Sequence, residues 1–339
     1  MKKPNKDNQF DDKIIVITGG TGSLGQALTK RLLETKVKTV RILTRNENKQ
    51  VEMESNFSDP RLRFFIGDVR DVPRLYSAFK NADIVFHAAA LKHVPVVEYN
   101  PFEGIKTNVL GSQNVIDACL HENVKIAVAV GTDKAVSPLN TYGATKLLME
   151  KLFVLGNSFF EIKDRTTKFI SLRYGNVLGS SGSVLPKFIQ MAKNGKKISI
   201  TDPNMTRFSL TMDQALDFIL QSVFLGKGSE VFVPKLCAYS IMDLKNAVSE
   251  LIQETGEKCI SIRPGEKLHE TLINSDEIRY VWEFKDRYIL FNPLKSESEI
   301  KKEYPGIKKA KFSNSYSSNY VEKIPKKDLK NIIRSLQLL

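Results

Sequence analysis

The run Lys13-Ile14-Ile15-Val16-Ile17-Thr18 passes directly into Gly19-Gly20-Thr21-Gly22-Ser23-Leu24-Gly25, and an amphipathic stretch, Gly22–Thr35, follows. A buried strand that enters a glycine turn and leaves as a helix admits few folds. Gly19 and Gly22 let the backbone turn and approach a pyrophosphate, and Gly25 permits close helix–strand contact. The start of the helix offers unpaired N–H groups to an anion. Gly19, Thr21, Gly22, Ser23, Leu24 and Gly25 are therefore the expected dinucleotide contacts; a purely structural glycine turn is the competing reading.

Five further short, β-branched segments repeat the pattern: Val40–Thr44, Phe64–Gly67, Asp83–Ala88, Lys125–Val130 and Phe169–Leu172. Helix-length stretches such as Pro73–Asn81 and Pro101–Glu122 separate them. Short apolar runs alternating with helical ones predict an α/β fold, a Rossmann-type doubly wound parallel sheet with right-handed crossovers. Past about residue 175 the pattern turns irregular, with helices expected near Asp213–Leu225 and Met242–Thr255. The expected organisation is a mainly dinucleotide-binding unit over 12–175 and a smaller C-terminal substrate region over 176–293, interleaved with it. A basic tail follows over 294–339, whose Leu329, Ile332, Ile333 and Leu336 stand at helical spacing. That tail is expected to dock on its own domain or on a sister subunit, against the alternative of lying on a membrane.

Composition limits the partners. Lys and Arg number 51 against 38 Asp and Glu, a formal net charge of +13. Eleven of the basic residues and five of the acidic ones fall between Lys295 and Arg334, so +6 of the charge belongs to the tail, without interleaved aromatics. A solvated basic surface with pockets for phosphorylated ligands is preferred to nucleic-acid binding. The cysteines Cys119, Cys237 and Cys259 are too far apart for a CxxC knuckle and odd in number, which fits a reducing compartment. With a polar start and no long apolar run, the chain is expected to be soluble and cytoplasmic.

Where an NAD-type fold places a carboxylate for the ribose 2′-hydroxyl, the second strand ends in Thr44-Arg45. A cation beside a short hydroxyl suits a 2′-phosphate and points to NADP; an exposed Arg, with another group holding the ribose, is the other reading. Asp68, after the third strand, either bonds the adenine amino group or caps a helix.

The spacing Tyr-x-x-x-Lys occurs at Tyr76/Lys80, Tyr142/Lys146 and Tyr304/Lys308. Only the Tyr142 copy follows a buried strand closely and opens a helix at the carboxyl edge of the sheet, where ligands bind in such folds. Four residues apart on a helix, phenol and ammonium share a face, and the ammonium is expected to lower the phenol's pKa so that Tyr142 can take a hydroxyl proton as hydride leaves the same carbon. Just upstream stands Thr132-Asp133-Lys134. A plain dehydrogenase needs Thr132, Tyr142 and Lys146; Asp133 and Lys134 add an acid and a base, and so suggest elimination after oxidation. A surface ion pair is the bland alternative.

These motifs, with Gly67–Asp71, His87–Pro101, Tyr142–Lys146, Arg173–Val177, Thr201–Phe208 and Arg263–Glu270, make the chain resemble the extended short-chain dehydrogenase/reductases. Within them it resembles the inverting UDP-N-acetylglucosamine 4,6-dehydratases of pseudaminic-acid and capsule pathways. The likeness runs from about Lys13 to Ile273. Lys134, where retaining relatives carry Glu, points to the inverting branch, whereas Ser181 stands where the family commonly has Arg.

The resemblance implies a UDP-sugar substrate, a tightly bound NADP recycled within each turnover, no metal and a homo-oligomer. It adds Val69, Ala88, Ala89, Lys92, Tyr142 and Lys146 to the cofactor contacts, beside Thr44, Arg45 and Asp68. It places Lys92, His93, Tyr174, Asn176, Ser183, Val184, Thr201, Arg207, Arg263 and Glu266 at the substrate, the two arginines at the diphosphate unless they form structural ion pairs. It also implies that Lys134 acts as a neutral amine and Asp133 as a protonated acid, which requires burial to lower the one pKa and raise the other. A nucleotide-sugar epimerase or dehydrogenase on the same scaffold would not need Asp133 and Lys134. An NADP-sensing regulator would be expected to have lost one of the two motifs.

Overall fold

The computed structural model describes residues 9–156, 167–180, 182–262 and 265–339. In chain order the first half runs β1 (Ile14–Thr18), α1 (Ser23–Leu33), β2 (Thr39–Thr44), α2 (Glu47–Phe57), β3 (Leu62–Ile66), α3 (Val72–Phe79), β4 (Ile84–His87), α4 (Val94–Tyr99), α5 (Pro101–Ile105), α6 (Gly111–His121), β5 (Ile126–Val130), α7 (Thr141–Leu155) and β6 (Lys168–Leu172). The second half runs α8 (Val184–Lys193), β7 (Ile198–Ile200), β8 (Thr206–Phe208), α9 (Met212–Leu225), β9 (Val231–Pro234), β10 (Ala238–Ser240), α10 (Ile241–Leu251), β11 (Glu257–Cys259), β12 (Thr271–Ile273), β13 (Val281–Phe284), β14 (Arg287–Leu290), α11 (Glu297–Glu303), β15 (Lys308–Lys309), β16 (Tyr316–Ser317) and α12 (Lys326–Ser335).

Ten strands form one sheet in the order β15-β13-β14-β9-β6-β5-β4-β1-β2-β3. From β3 to β9 every neighbour is parallel, and β14, β13 and β15 extend the sheet antiparallel. The order reverses at β1 and β4, the switch point at which doubly wound sheets bind ligands beyond the carboxyl ends of their strands. Along β1 the two-residue side-chain period splits the core: Ile15 and Ile17 join Leu28, Leu32, Ile219 and Val223, while Val16 joins Phe79, Val115, Phe153 and Phe169. Helices α1 and α9 thus cover one face and α3, α6 and α7 the other.

The expected helix over 101–122 is interrupted. Between α5 and α6 the residues Lys106–Leu110 form a π-helical turn, whose one extra residue turns Thr107 inward. The tail is not a separate appendage. Leu329 and Ile333 of α12 bury into the cluster of Leu185, Ile198, Leu244 and Val248, so the tail docks on its own chain. Lys326 and Lys330 of α12 pair with Glu250 of α10, and β16 pairs with β12. No helix among the described residues is long and apolar enough to cross a membrane.

Candidate active site

The glycine turn behaves as the strand–turn–helix spacing demands. Gly19 adopts φ +69°, and a Cβ there would lie 2.8 Å from the Ala89 backbone. Gly22 is the N-cap of α1 and offers no side chain, which leaves the first N–H groups of the helix for an anion. At Gly25 a Cβ would lie 2.5 Å from the Cα of Gly20. Gly19, Thr44, Arg45, Asp68, Val69 and Ala89 line one cleft together with Gly67, Ala90 and Thr107. Thr107 Oγ1 is buried there without a hydrogen-bond partner among the described residues. A glycine cradle, an open helix start and an orphaned hydroxyl together fit a dinucleotide.

Asp68 is not a helix cap. Asp71 caps α3 by accepting the Arg74 N–H, whereas Asp68 accepts from Arg70 N–H and faces Arg70 at 2.8 Å and Arg45 at 3.4 Å. Thr21 donates to Thr44 across the cleft at 3.4 Å. Behind the cleft the His87 ring is fully buried between the Thr18 and Ser112 hydroxyls, 2.8 and 2.9 Å away.

At the end of β5, Thr132 caps a short 3-10 turn, Asp133–Ala135, and the Asp133 N–H donates to Tyr174 O. Asp133 Oδ1 accepts from Thr132 Oγ1 at 2.8 Å and from Lys134 Nζ at 3.1 Å. Lys134 Nζ also donates to Asn176 Oδ1 at 3.3 Å and lies 3.5 Å from Glu270 Oε1. Asn140 caps α7 through the Gly143 N–H, which presents Tyr142 on the first turn, hydrogen-bonded to Thr132. Thr132, Asp133, Lys134, Tyr142, Tyr174 and Asn176 therefore meet.

Three electrostatic expectations are corrected. The ammonium that acts on the Tyr142 phenol is that of Lys134, because Lys146 Nζ turns to Val130 O at 2.7 Å and to Met149 Sδ. Burial brings Lys146 down to about 7. The Tyr142 phenol itself lies above its ordinary range, since burial outweighs Lys134. Lys134 is not lowered: burial opposes its charge, but Asp133 and Glu270 overcome burial and raise it.

On the substrate side, Lys92 and His93 are exposed, His93 at the start of α4. Ser183 and Val184 open α8, with Ser183 Oγ buried and unpartnered among the described residues. Thr201 follows β7, half-buried. Arg207 is buried and spends its guanidinium on Thr206 O and Leu268 O, 3.6 Å from Glu266 and 3.7 Å from Glu270. Arg263 and Ser181 lie outside the described residues. Sequence reasoning missed Thr107 and Glu270; the first is exposed as a site residue only by the π turn, the second only by the fold. Among the described residues no group of three or more His, Cys, Asp or Glu could hold a metal ion.

Comparison with known proteins gives a consistent neighbourhood. The family model described as polysaccharide biosynthesis protein matches residues 15–292. Two Campylobacter jejuni proteins named UDP-N-acetylglucosamine 4,6-dehydratase (inverting) are 48% identical over 84% of this chain and 85% of the relative, and 46% identical over 96% and 98%. A Rickettsia massiliae protein named UDP-glucose 4-epimerase is 37% identical over 96% of this chain and 97% of its own. Pen from Bacillus thuringiensis superposes with a TM-score of 0.89 at 38% identity, covering 98% of this chain and 100% of that one.

Proposed function

The chain belongs to the polysaccharide biosynthesis protein family, and on that premise we propose that it is a UDP-N-acetylglucosamine 4,6-dehydratase that inverts C5. One observation carries the reading: an acid–base pair, buried Asp133 Oδ1 to half-buried Lys134 Nζ at 3.1 Å, sits beside Thr132 and Tyr142. Oxidation at C4 needs only Thr132, Tyr142 and Lys146, and an epimerase that returns that hydride to the other face of C4 needs no further acid or base. Asp133 and Lys134 are surplus to oxidation and have the chemistry of elimination.

Held at the glycine turn Gly19–Gly25, a nicotinamide dinucleotide would supply the hydride acceptor for C4 and the hydride donor for C6, so that the reaction is redox-neutral overall. The positive charge of the oxidised nicotinamide, when bound, would join that of Lys134 in favouring the Tyr142 phenolate, and as phenolate Tyr142 takes the 4-hydroxyl proton while Thr132 holds that oxygen. The ketone so formed acidifies the C5 hydrogen. Passing one proton from Lys134 Nζ to Asp133 Oδ1, along the hydrogen bond already present, converts ammonium and carboxylate into amine and acid. The amine then removes the C5 proton, the C5–H electrons form the C5–C6 double bond, and Asp133 gives its proton to the departing 6-hydroxyl as water. Hydride return to C6 leaves the electron pair at C5, and a solvent proton added there from the face opposite Lys134 gives UDP-2-acetamido-2,6-dideoxy-β-L-arabino-hex-4-ulose.

The cofactor we assign is NADP, with Arg45 toward the 2′-phosphate, since Thr44-Arg45 replaces the expected carboxylate. Tyr142 and Lys146 border it as well as the substrate. We assign cofactor binding mainly to residues 12–175 and substrate binding mainly to 176–293, including Lys92 and His93 from the first part. A homo-oligomer is supported by the exposed apolar side chains Val96, Tyr99, Phe102, Leu110 and Leu148 on neighbouring helical segments. A cytoplasmic location completes the reading.

Proton NMR of the purified protein with UDP-N-acetylglucosamine in deuterated water, without added cofactor, tests it. A C6 methyl with deuterium at C5 and L-arabino geometry is expected. Retention at C5 would overturn the role of Lys134, and a C4 epimer without a methyl signal would favour the epimerase reading that the Rickettsia relative supports.

A further inference from the structure

Glu270, immediately before β12, is a buried carboxyl that the elimination chemistry does not yet use. Its Oε1 faces Lys134 Nζ at 3.5 Å and Arg207 Nε at 3.7 Å, while its Oε2 is buried without a hydrogen-bond partner among the described residues. Its placement comes from the tail: the Glu270 N–H donates to Ser318 Oγ, and Glu270 O accepts from the Ser318 N–H at 2.8 Å and from Ser317 Oγ at 3.0 Å. A carboxylate fixed this firmly by backbone, and then left half unsatisfied beside a lysine, is there for that lysine.

We propose that Glu270 is a positioning residue for the elimination step: with Asp133 it grips the Lys134 ammonium from a second carboxylate and so keeps one transferable proton in the Asp133–Lys134 pair. The proposal rests on the dehydratase reading above. The charged and titratable groups around Glu270 are Asp133 and Lys134 on the 3-10 turn, Arg207 on β8, Tyr239 on β10 and Lys267 in its own loop, with Tyr142 of α7 beyond Lys134. Arg207 is already engaged with two carbonyls and Glu266, and Lys267 donates to Val136 O, whereas Lys134 faces both Glu270 and Asp133.

The proton count shows what Glu270 does. Before elimination the three groups are acid, amine and Glu270 carboxylate; afterwards they are Asp133 carboxylate, Lys134 ammonium and Glu270 carboxylate. One proton leaves Asp133 and one arrives on Lys134, so the net charge is unchanged. Burial and Asp133 hold the Glu270 carboxyl above its ordinary range, so its charge is in place only on the alkaline side. Elimination fails there because the pair loses its only proton to solvent, and that charge beside both members delays the loss to higher pH. Removing the charge lowers the proton affinity of Asp133 and of Lys134 together.

Trace acetylation of the whole protein with acetic anhydride across pH, with the Lys134 peptide quantified by mass spectrometry, reads the lysine directly and needs no turnover. In Glu270→Gln the midpoint of Lys134 labelling should fall by at least about one pH unit. Glu270→Asp, which keeps the charge but withdraws it by one methylene, should move it less in the same direction and serves if the first variant does not fold. In parallel, the alkaline limb of methyl formation from UDP-N-acetylglucosamine should move to lower pH in Glu270→Gln. A Lys134 midpoint that stays put in both variants, or a merely lowered rate with an unmoved limb, overturns the proposal. A wild-type protein that makes no methyl product sinks the dehydratase reading instead, and the labelling still decides whether Glu270 governs Lys134.

Discussion

His87 gives the stability of this protein a defined pH dependence. Its ring is enclosed between Thr18 Oγ1 and Ser112 Oγ and stacks on Phe153 at 5.7 Å. Burial, aided by the charge of Lys146, drives its pKa from 6.5 to about 3. In the unfolded chain the ring titrates near its ordinary value, so between these limits the unfolded state binds the extra proton. Stability from this group is therefore full above about pH 6.5 and is lost as pH falls toward 3. At pH 5 the ring is about 1.5 units below its unfolded pKa, a loss of about 2 kcal/mol, and the whole shift is worth about 5 kcal/mol. Glu230 works the opposite way: buried and raised to about 7, it loses stability as pH rises through that value. The assay is urea unfolding of wild type and His87→Gln at pH 7.5 and pH 5, because Glu230 is common to both proteins and cancels in the difference. The stability advantage of wild type over the variant should shrink by about 2 kcal/mol on acidification. An advantage constant to within about 0.5 kcal/mol would mean that His87 titrates normally, and the argument from its burial would be wrong.

Gly25→Ala gains up to about 1 kcal/mol of helix propensity, but its Cβ would stand 2.5 Å from Gly20 Cα and must push α1 about 1 Å off the glycine turn. Overpacking of that kind costs about 1–3 kcal/mol and wins, so lower urea stability and weaker cofactor retention are expected, and unchanged values would refute the cradle. Arg173→Met leaves Glu150 buried without the guanidinium that now holds both its oxygens; a loss of about 3–5 kcal/mol at neutral pH is expected in urea, and less than about 1 would contradict it. Lys134→Ala should allow some C4 oxidation, seen as reduced-nicotinamide absorbance, yet yield no methyl signal by NMR. Full dehydratase activity in that variant would remove Lys134 from the mechanism. Arg45→Asp should shift cofactor preference from NADP toward NAD by on the order of tenfold in paired binding titrations, and an unmoved preference would place the 2′-phosphate elsewhere.

What the sequence made legible was local. The first six parallel strands announced themselves by short β-branched runs, and the glycine turn by steric needs that three neighbouring residues express, whereas β9, parallel to β6, went unread in the irregular second half. Helix α2 was missed because it is polar nearly all round and buries only Gln50 and Met53, so no apolar stripe marks it. Strand β16 is two residues long and exists because β12 lies opposite. The electrostatics were least legible. Helical spacing does put Tyr142 and Lys146 on one face, but a lysine side chain is long enough to choose, and a strand carbonyl at Val130 was the better partner once buried. Arg207 reads as a phosphate ligand by residue type, and only the fold shows Glu266 and Glu270 beside it.

The difference between a scaffold that oxidises and one that also eliminates comes down here to a turn held from both sides. At one end Gly131 donates its N–H to Leu172 O at 2.7 Å, and any side chain there would strike that carbonyl. At the other end Gly143 of α7 packs on the carbonyl of Lys134, again with no room for a Cβ. The 3-10 turn bearing Asp133 and Lys134 is thus clamped between β6 and α7 by backbone contacts. On the function proposed above, this clamp lets the chemistry at the two positions differ on a common scaffold while the backbone that carries Thr132 and Tyr142 stays in place. Tuning then falls to more distant groups, and the nearest is Glu270, delivered by a tail strand that lies beyond the span the family model covers.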